Sequence, residues 1–153
     1  MSDSDRCYLS GLRILNYRFN SEAELRRKLR SKEFEASDID AAIARLRKEK
    51  WLDDARFAAA FVRTRGQKRL GKLRIRRELT AAGVDDEVAA RAIADNVDPE
   101  VEGERLAAAC AKKLAALTRR EGELTDAGRQ KLIGYLLKQG FEMSAVLEAV
   151  RRK

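Results

Sequence analysis

One spacing of apolar residues occurs three times along the chain and constrains its fold more than any other feature. The first copy consists of Leu25, Leu29, Phe34, Ile39 and Ile43. The last copy keeps the same steps of four, five, five and four and consists of Leu132, Leu136, Phe141, Val146 and Val150. A looser copy, with steps of four, five, four and five, consists of Ile75, Leu79, Val84, Val88 and Ile93. Steps of four keep side chains on one helical face, so each copy predicts two helices joined by a tight corner.

One more helix precedes each corner unit. Its apolar stripe consists of Tyr8, Leu12, Leu15 and Phe19 in the first unit, Phe57, Ala58, Phe61 and Val62 in the second, and Leu106, Cys110, Leu114 and Leu117 in the third. No segment alternates with period two, as a strand would. The sequence therefore predicts an all-α protein of three tandem three-helix, helix-turn-helix-like repeats at 1–51, 52–97 and 98–153. Repeats of this kind form an elongated array that typically binds extended partners.

Helix termini are marked by capping residues and glycines. Ser21 and Glu24 form a capping box, and Asp98 precedes Pro99 at another predicted start. Further N-caps are expected at Ser37, Asp53, Asp85, Thr125 and Ser144. Gly83 and Gly140 fall at corners that favour a left-handed residue, and Glu33 occupies the equivalent place in the first repeat.

Composition excludes several classes of function. The chain has 33 Lys and Arg against 25 Asp and Glu, a formal charge of +8, so an anionic partner is favoured. It has no His, and Cys7 and Cys110 belong to no motif, which argues against a zinc site, a catalytic triad or any cofactor. We interpret both cysteines as buried core residues. No apolar run approaches the roughly 20 residues that cross a bilayer, and the polar N-terminus is unlike a signal peptide, so we expect a cytoplasmic protein without membrane contact.

Charge is segregated along the middle of the chain. Eight basic residues and no acidic one occur between positions 63 and 77: Arg63, Arg65, Lys68, Arg69, Lys72, Arg74, Arg76 and Arg77. Between positions 85 and 104 there are eight acidic residues and a single basic one. Like charges crowded without internal partners cost stability, and guanidinium groups suit carboxylates and phosphates. We therefore expect an anion-docking surface at 63–77 in preference to a merely solvated face.

Two weaker features leave alternatives open. In the first repeat a smaller basic cluster consists of Arg26, Arg27, Lys28, Arg30 and Lys32, of which the three arginines are candidates for docking. Flanking glutamates can neutralise part of it, so docking and a solvated face stay equally open. We interpret Trp51 as a core residue at the junction of two repeats, with a platform for a nucleobase as the alternative. The other aromatic residues fall mostly on apolar stripes, so stacking on single-stranded bases finds little support.

The residues at the start of the second repeat resemble the signature of the RecX family of bacterial regulatory proteins. The stretch is Trp51-Leu52-Asp53-Asp54-Ala55-Arg56-Phe57-Ala58, continued by Phe61-Val62-Arg63 and Arg65. Gly71, Arg74-Ile75-Arg76-Arg77-Glu78-Leu79 and Gly83-Val84 resemble it further. Ser21–Phe34 resembles the first module of the family, and Tyr135–Phe141 its last. Glu33 departs from the pattern, because a glycine is usual there.

The resemblance implies a modulator of the RecA recombinase. Such a protein lies along the groove of the RecA–DNA filament and suppresses its ATPase, strand-exchange and co-protease activities, and so modulates recombinational DNA repair and the SOS response. Implied partners of this monomer are the RecA filament and, weakly through the backbone, single- and double-stranded DNA. The alternative is a helix-turn-helix DNA-binding protein that acts without recombinase. An enzyme is not supported, because the pairs Glu22/Glu24 and Asp53/Asp54 are explained as charges at helix N-termini.

Overall fold

The computed structural model describes residues 1–120 and 122–153, and every regular element within these ranges is an α-helix. The helices are α1 (Asp3–Tyr17), α2 (Glu22–Ser31), α3 (Ala36–Lys48), α4 (Asp54–Gly66), α5 (Lys72–Ala81), α6 (Asp86–Asn96), α7 (Pro99–Thr118), α8 (Asp126–Lys138) and α9 (Met143–Arg151). The predictions of an all-α fold and of three-helix repeats are confirmed for the described residues. The repeat boundaries and the elongated shape stay predictions.

The chain forms two compact units. One consists of Met1–Ala60 with Leu79–Ala92, and the other of Phe61–Glu78 with Ile93–Lys153. The first unit holds a core of Cys7, Tyr8, Leu25, Leu29, Ile39, Ala42, Ile43, Leu46 and Leu52. The second unit holds a core of Leu106, Ala109, Cys110, Leu132, Leu136, Phe141, Val146 and Val150. The burial of both cysteines is confirmed, and it raises the pKa of each thiol.

The middle repeat is more regular than its sequence indicated. Ala89 is fully buried, whereas Val88 is only half-buried. With Ala89 in place of Val88, the copy in the middle repeat also has steps of four, five, five and four. The prediction of a looser copy was therefore wrong, because alanine carries little hydrophobic signal on its own.

The three corners share one backbone geometry. Gly83 and Gly140 have φ values of 83° and 102°, so the left-handed residue predicted at these two corners is confirmed. Glu33, whose conformation the sequence left open, is also left-handed, with a φ of 69°. The N-cap of the following helix comes two residues later, and in the first and third repeats it is a glutamate without a side-chain capping bond. Ser37 and Ser144 were therefore wrong as N-caps, since they lie inside α3 and α9. The predicted caps at Ser21, Asp53, Asp85, Asp98 and Thr125 are confirmed.

Two aromatic residues lie outside the core that the sequence assigned to them. Trp51 is 48% exposed and Phe19 is 54% exposed. Trp51 follows Lys50, a left-handed residue at the end of α3, and this turn directs Leu52 into the core instead. Phe19 lies beyond the end of α1, so the helical periodicity no longer applies to it. The interpretations of Trp51 as a core residue and of Phe19 as part of the stripe were wrong.

The start of α2 is joined to the corner and first helix of the next repeat. Ser21 Oγ donates a hydrogen bond to the carbonyl of Ala82 at 2.5 Å. The backbone N–H of Glu22 donates to Asp54 Oδ1 at 2.8 Å. The first N–H groups of a helix have no intrahelical acceptor, and the carbonyls at its end have no intrahelical donor. Asp54 therefore satisfies the N–H of Glu22 at the start of α2, and Ser21 satisfies the carbonyl of Ala82 just after α5.

The start of α5 makes the same joint with the third repeat. The N–H of Gly71 donates to the carbonyl of Gln139 at 2.8 Å, and the N–H of Lys72 donates to Glu102 Oε1 at 3.2 Å. Gly71 occupies the position in the second repeat that Ser21 occupies in the first, four residues before the first apolar residue of the repeated spacing. Gln139 is likewise equivalent to Ala82, because each directly precedes the left-handed glycine of its corner. Here backbone meets backbone, because a Cβ at Gly71 would overlap the carbonyl of Gly140.

We expect Gly71→Ala to lower the free energy of unfolding by about 1–3 kcal/mol, the usual cost of overpacking, because the added Cβ must push Gly140 away. Gly103→Ala is the matched control, since nothing lies within 4 Å of a Cβ there. That change should stabilise α7 by up to about 1 kcal/mol. Urea unfolding followed by circular dichroism measures both. Equal stability of the two variants would contradict the close approach at Gly71.

Candidate functional site

The predicted basic residues at 63–77 occupy the end of α4, the connection at 67–71 and the first two turns of α5. Arg63 and Arg65 lie in the last turn of α4, where positive charge is favoured by the helix dipole. Lys68 and Arg69 lie in the connection, and Arg69 has a left-handed φ of 59°. The remaining members are on α5: Lys72, Arg74, Arg76 and Arg77. All eight lie in the second unit, and we call them the basic segment.

Three members of the basic segment have carboxylate partners within the molecule. Arg65 Nε lies 2.7 Å from one oxygen of Glu78, and Arg74 Nε lies 3.2 Å from the other. Lys72 Nζ lies 3.1 Å from Glu142. The expectation that the segment lacks internal partners was therefore wrong for these three. Glu78 lies one residue beyond the segment, and Glu142 comes from the α8–α9 corner, so neither appeared in the window of sequence that suggested the cluster.

The other five members of the basic segment are exposed: Arg63, Lys68, Arg69, Arg76 and Arg77. Arg63 Nη1 makes a long contact of 3.4 Å with Asn96 Oδ1. Lys68, Arg69 and Arg77 form no ion pair with any residue in 1–120 or 122–153. The segment thus divides into three paired residues, which hold α4, α5 and the α8–α9 corner together, and five exposed residues, of which Lys68, Arg69 and Arg77 are available to an external anion.

Two residues of α7 hold the connection between α4 and α5, and no local sequence signal marks either of them. Glu102 accepts the N–H of Lys72 at the start of α5. The guanidinium of Arg105 packs on Gly66 at the end of α4, so closely that a Cβ there would lie 2.8 Å from its Cζ. A carboxylate therefore meets the positive end of one helix, and a guanidinium meets the negative end of the other. This arrangement fixes the backbone from which Lys68 and Arg69 project.

Burial raises the pKa of Glu102 above its ordinary value of 4.5, although the N–H of Lys72 and the charge of Arg105 oppose this shift. A carboxyl group with a raised pKa in the folded state binds more protons there than in the unfolded state. Its contribution to stability is therefore greatest below pH 4.5 and is lost as the pH rises through the folded-state pKa.

Glu102→Gln should remove this pH dependence, because the amide does not titrate and its oxygen can still accept the Lys72 N–H. We expect the stability of the wild type relative to this variant to fall as the pH is raised from acidic to neutral values. Urea unfolding across that range measures it, with Glu104→Gln, an exposed position on α7, controlling for the loss of one charge. Parallel pH profiles for wild type and Glu102→Gln would contradict the assignment.

The smaller basic cluster is partly neutralised, as the glutamates around it indicated. Arg26 lies 2.6 Å from Asp40 and 3.6 Å from Glu22, and the bond to Asp40 raises the pKa of its guanidinium. Arg27 and Arg30 are exposed and form no ion pair within the described ranges. Of the three arginines of this cluster, these two therefore remain free for an external partner.

The acidic stretch at 85–104 serves helix N-termini. Asp85 and Asp98 each accept a hydrogen bond from the backbone N–H two residues on. Asp86, Glu87, Glu100 and Glu102 lie in the first turns of α6 and α7, where negative charge is favourable. Across the described residues, no three His, Cys, Asp or Glu side chains converge on a possible metal site. None of the helices in that part of the chain is long and apolar enough to cross a membrane.

Comparison with protein families gives two matches, one to each of the first two repeats. Residues 7–46 match the first three-helix domain of RecX, and residues 53–93 match its second three-helix domain. The Regulatory protein RecX of Xanthomonas oryzae pv. oryzae strain MAFF 311018 is 36% identical over 143 residues, which cover 92% of this chain and 84% of the relative. The protein of the same name from Xanthomonas axonopodis pv. citri strain 306 is 37% identical over the same length, with 92% and 83% covered.

Solved structures share the fold. The crystal structure of RecX from Lactobacillus salivarius superposes with a TM-score of 0.84 at 24% sequence identity, covering 98% of this chain and 96% of that one. A second crystal structure of regulatory protein RecX gives a TM-score of 0.85 at 24% identity, covering 99% and 72%. The similarity therefore extends over the third repeat, which the two family matches do not reach.

Proposed function

Because the chain belongs to the RecX family of regulatory proteins, we propose that it binds RecA recombinase filaments on DNA and inhibits their ATPase, strand-exchange and co-protease activities. The observation that carries the proposal is the 36% identity with a protein named Regulatory protein RecX across 92% of the chain. Inhibition of this kind modulates recombinational DNA repair and the SOS response. The protein acts by binding rather than by catalysis, as a cytoplasmic monomer that requires no metal or cofactor.

In this proposal the docking surface consists of three exposed residues of the basic segment: Lys68, Arg69 and Arg77. Phosphates of DNA and carboxylates of the recombinase are both anions that guanidinium groups bind in fixed geometry. Lys68, Arg69 and Arg77 have no internal partner to lose on docking, so their charges act on the filament in full. Arg27 and Arg30 in the first repeat supply a second contact. Several modest contacts on one body give avidity, since each later contact is effectively intramolecular.

Inhibition follows if the repeats fit one arrangement of filament subunits better than the others. A ligand shifts a conformational equilibrium only by its difference in affinity between the states. A row of docking points fixed to helices would bind the matching arrangement most tightly and disfavour the rest of the working cycle. The paired residues Arg65, Lys72 and Arg74 contribute indirectly, because they hold the docking surface in shape.

The double variant Lys68→Glu/Arg77→Glu tests the docking surface. We expect about tenfold or more protein to be needed for half-inhibition of the RecA ATPase on single-stranded DNA, because each reversal places like charges together. Circular dichroism should be unchanged, since neither side chain is buried or paired. The matched control is Lys112→Glu/Lys131→Glu, which changes the net charge equally at exposed positions of α7 and α8. Equal inhibition by the two double variants would remove the basic segment from the mechanism.

The rival function, a helix-turn-helix protein that reads DNA alone, makes a different prediction. Helix α5 has no Asn or Gln to recognise adenine, and arginine is its only candidate base reader. We therefore expect binding to naked DNA that is indifferent to sequence and weakens with salt, at a log–log slope of roughly −0.9 per phosphate contacted in duplex DNA. Lys68→Glu/Arg77→Glu should make that slope shallower by the amount that corresponds to about two phosphate contacts. Tight, sequence-selective binding without recombinase would favour the rival.

A further inference from the structure

A cleft of about 590 Å³ opens in the first unit beside the exposed aromatic residues. It lies where the end of α1, the end of α3 and the start of α4 meet. The charged and aromatic residues of its lining are Arg18, Phe19, Glu49, Lys50, Trp51 and Arg56. The basic segment contributes nothing to it. A volume of this size is typical of small-ligand sites, which span roughly 300–1,000 Å³.

Both aromatic side chains of the cleft project from backbone that is held in place. The N–H of Trp51 donates to the carbonyl of Leu46 at 2.9 Å, and the next residue, Leu52, is buried in the core. Phe19 precedes the buried Asn20, whose Nδ2 donates to the carbonyl of Arg18 at 2.8 Å. These backbone contacts therefore hold the Trp51 and Phe19 side chains in positions exposed to solvent.

The cationic side chains of the cleft are oriented by the same loops. The Arg56 guanidinium donates to the carbonyl of Lys50 at 2.9 Å and lies 5.8 Å from the centre of the Phe19 ring. Arg18 also lines the cleft; its Nε donates to the carbonyl of Phe19 at 3.2 Å, and its Nη2 makes a long ion pair of 3.9 Å with Glu24. The Lys50 ammonium has no ion pair within the described residues. The cleft thus offers three cations beside two flat apolar rings.

Glu49, the one acidic residue of this lining, does not neutralise these cations. One of its oxygens accepts the hydroxyl of Tyr8, and the other lies 3.1 Å from Arg45 Nε, outside the cleft lining. The Tyr8 hydroxyl bond lowers the pKa of Glu49, so the carboxylate stays ionised and committed to these partners.

We propose that this cleft binds an unstacked base of single-stranded nucleic acid, with the ring against Trp51 and Phe19 and the adjoining phosphate on Arg18 and Lys50. Every base has a flat π-face, and aromatic platforms next to positive charge are how proteins hold single strands without reading their sequence. An acidic peptide with an apolar anchor would need an enclosed apolar pocket, whereas the apolar surface of this cleft consists of the half-buried Leu15 and two rings open to solvent. The inference deepens the proposed function by placing a base-binding site on the first repeat, and it rests on that function for single-stranded DNA as the partner.

Trp51 is the single tryptophan of the chain, so its fluorescence reports on this cleft alone. We expect a short oligothymidylate to quench it, and an abasic oligomer with the same number of phosphates to leave it unquenched. With a labelled oligothymidylate followed by anisotropy, Trp51→Ala and Phe19→Ala should each weaken binding by about tenfold or more. Tyr17→Ala is the matched control, since Tyr17 is an aromatic residue that is 89% exposed and outside the cleft lining. It should bind as the wild type does.

Two results would overturn the base-binding site. In the first, the protein binds the oligothymidylate and the abasic oligomer with equal affinity, and Phe19→Ala binds as the wild type does. Binding would then rest on phosphate contacts alone. The second is quenching of Trp51 by a glutamate-rich peptide containing phenylalanine but not by oligothymidylate, which would make the cleft a peptide site. The RecA ATPase assay separates this proposal from the proposed function. Quenching without inhibition would refute the function alone, and inhibition without quenching would refute the cleft alone.

Discussion

The rest of the structure depends on how the N-termini of α2 and α5 are capped. The first N–H groups of a helix need acceptors from elsewhere. Asp54 and Glu102, each from the first helix of the following repeat, supply them, and a corner carbonyl of that repeat accepts a further hydrogen bond beside them. Burial raises the pKa of both carboxyl groups, so each contact carries a desolvation cost that the positive end of the helix offsets. Successive repeats are thus joined by directional polar contacts.

This capping limits where an anionic partner can bind. A free helix N-terminus is a ready site for phosphate, and helix-turn-helix proteins commonly contact the DNA backbone through one. At α2 and α5 that position is already filled by a carboxylate from the same chain. In the proposed function, phosphate is therefore met by side chains such as Lys68 and Arg77 rather than by the N-termini of α2 and α5. The joint therefore favours a docking surface of flexible cations over rigid reading by an inserted helix.

Local features were predictable from the sequence, and features set by tertiary contacts were not. The repeated spacing predicted the helix pairs because one helical face must bury its apolar residues, and the glycines at the corners predicted left-handed residues at Gly83 and Gly140. The exposure of Trp51 could not be predicted, because it depends on the residue at which α3 ends. The partners of Arg65 and Lys72 also escaped detection. Glu78 lay just outside the basic window, and Glu142 is distant in sequence.

The two joints show why charge density alone was a poor guide to the docking residues. At the first joint a serine hydroxyl spans the distance to the next repeat, and at the second Gly71 brings the backbones together directly. That closer approach places Lys72 and Arg74 against the α8–α9 corner, where a Cβ on Gly140 would overlap Arg74. Lys72 pairs with Glu142 across the joint, whereas Arg74 pairs with Glu78 within α5. The residues of one basic run therefore have separate physical roles, which depend on contacts that the run itself does not contain.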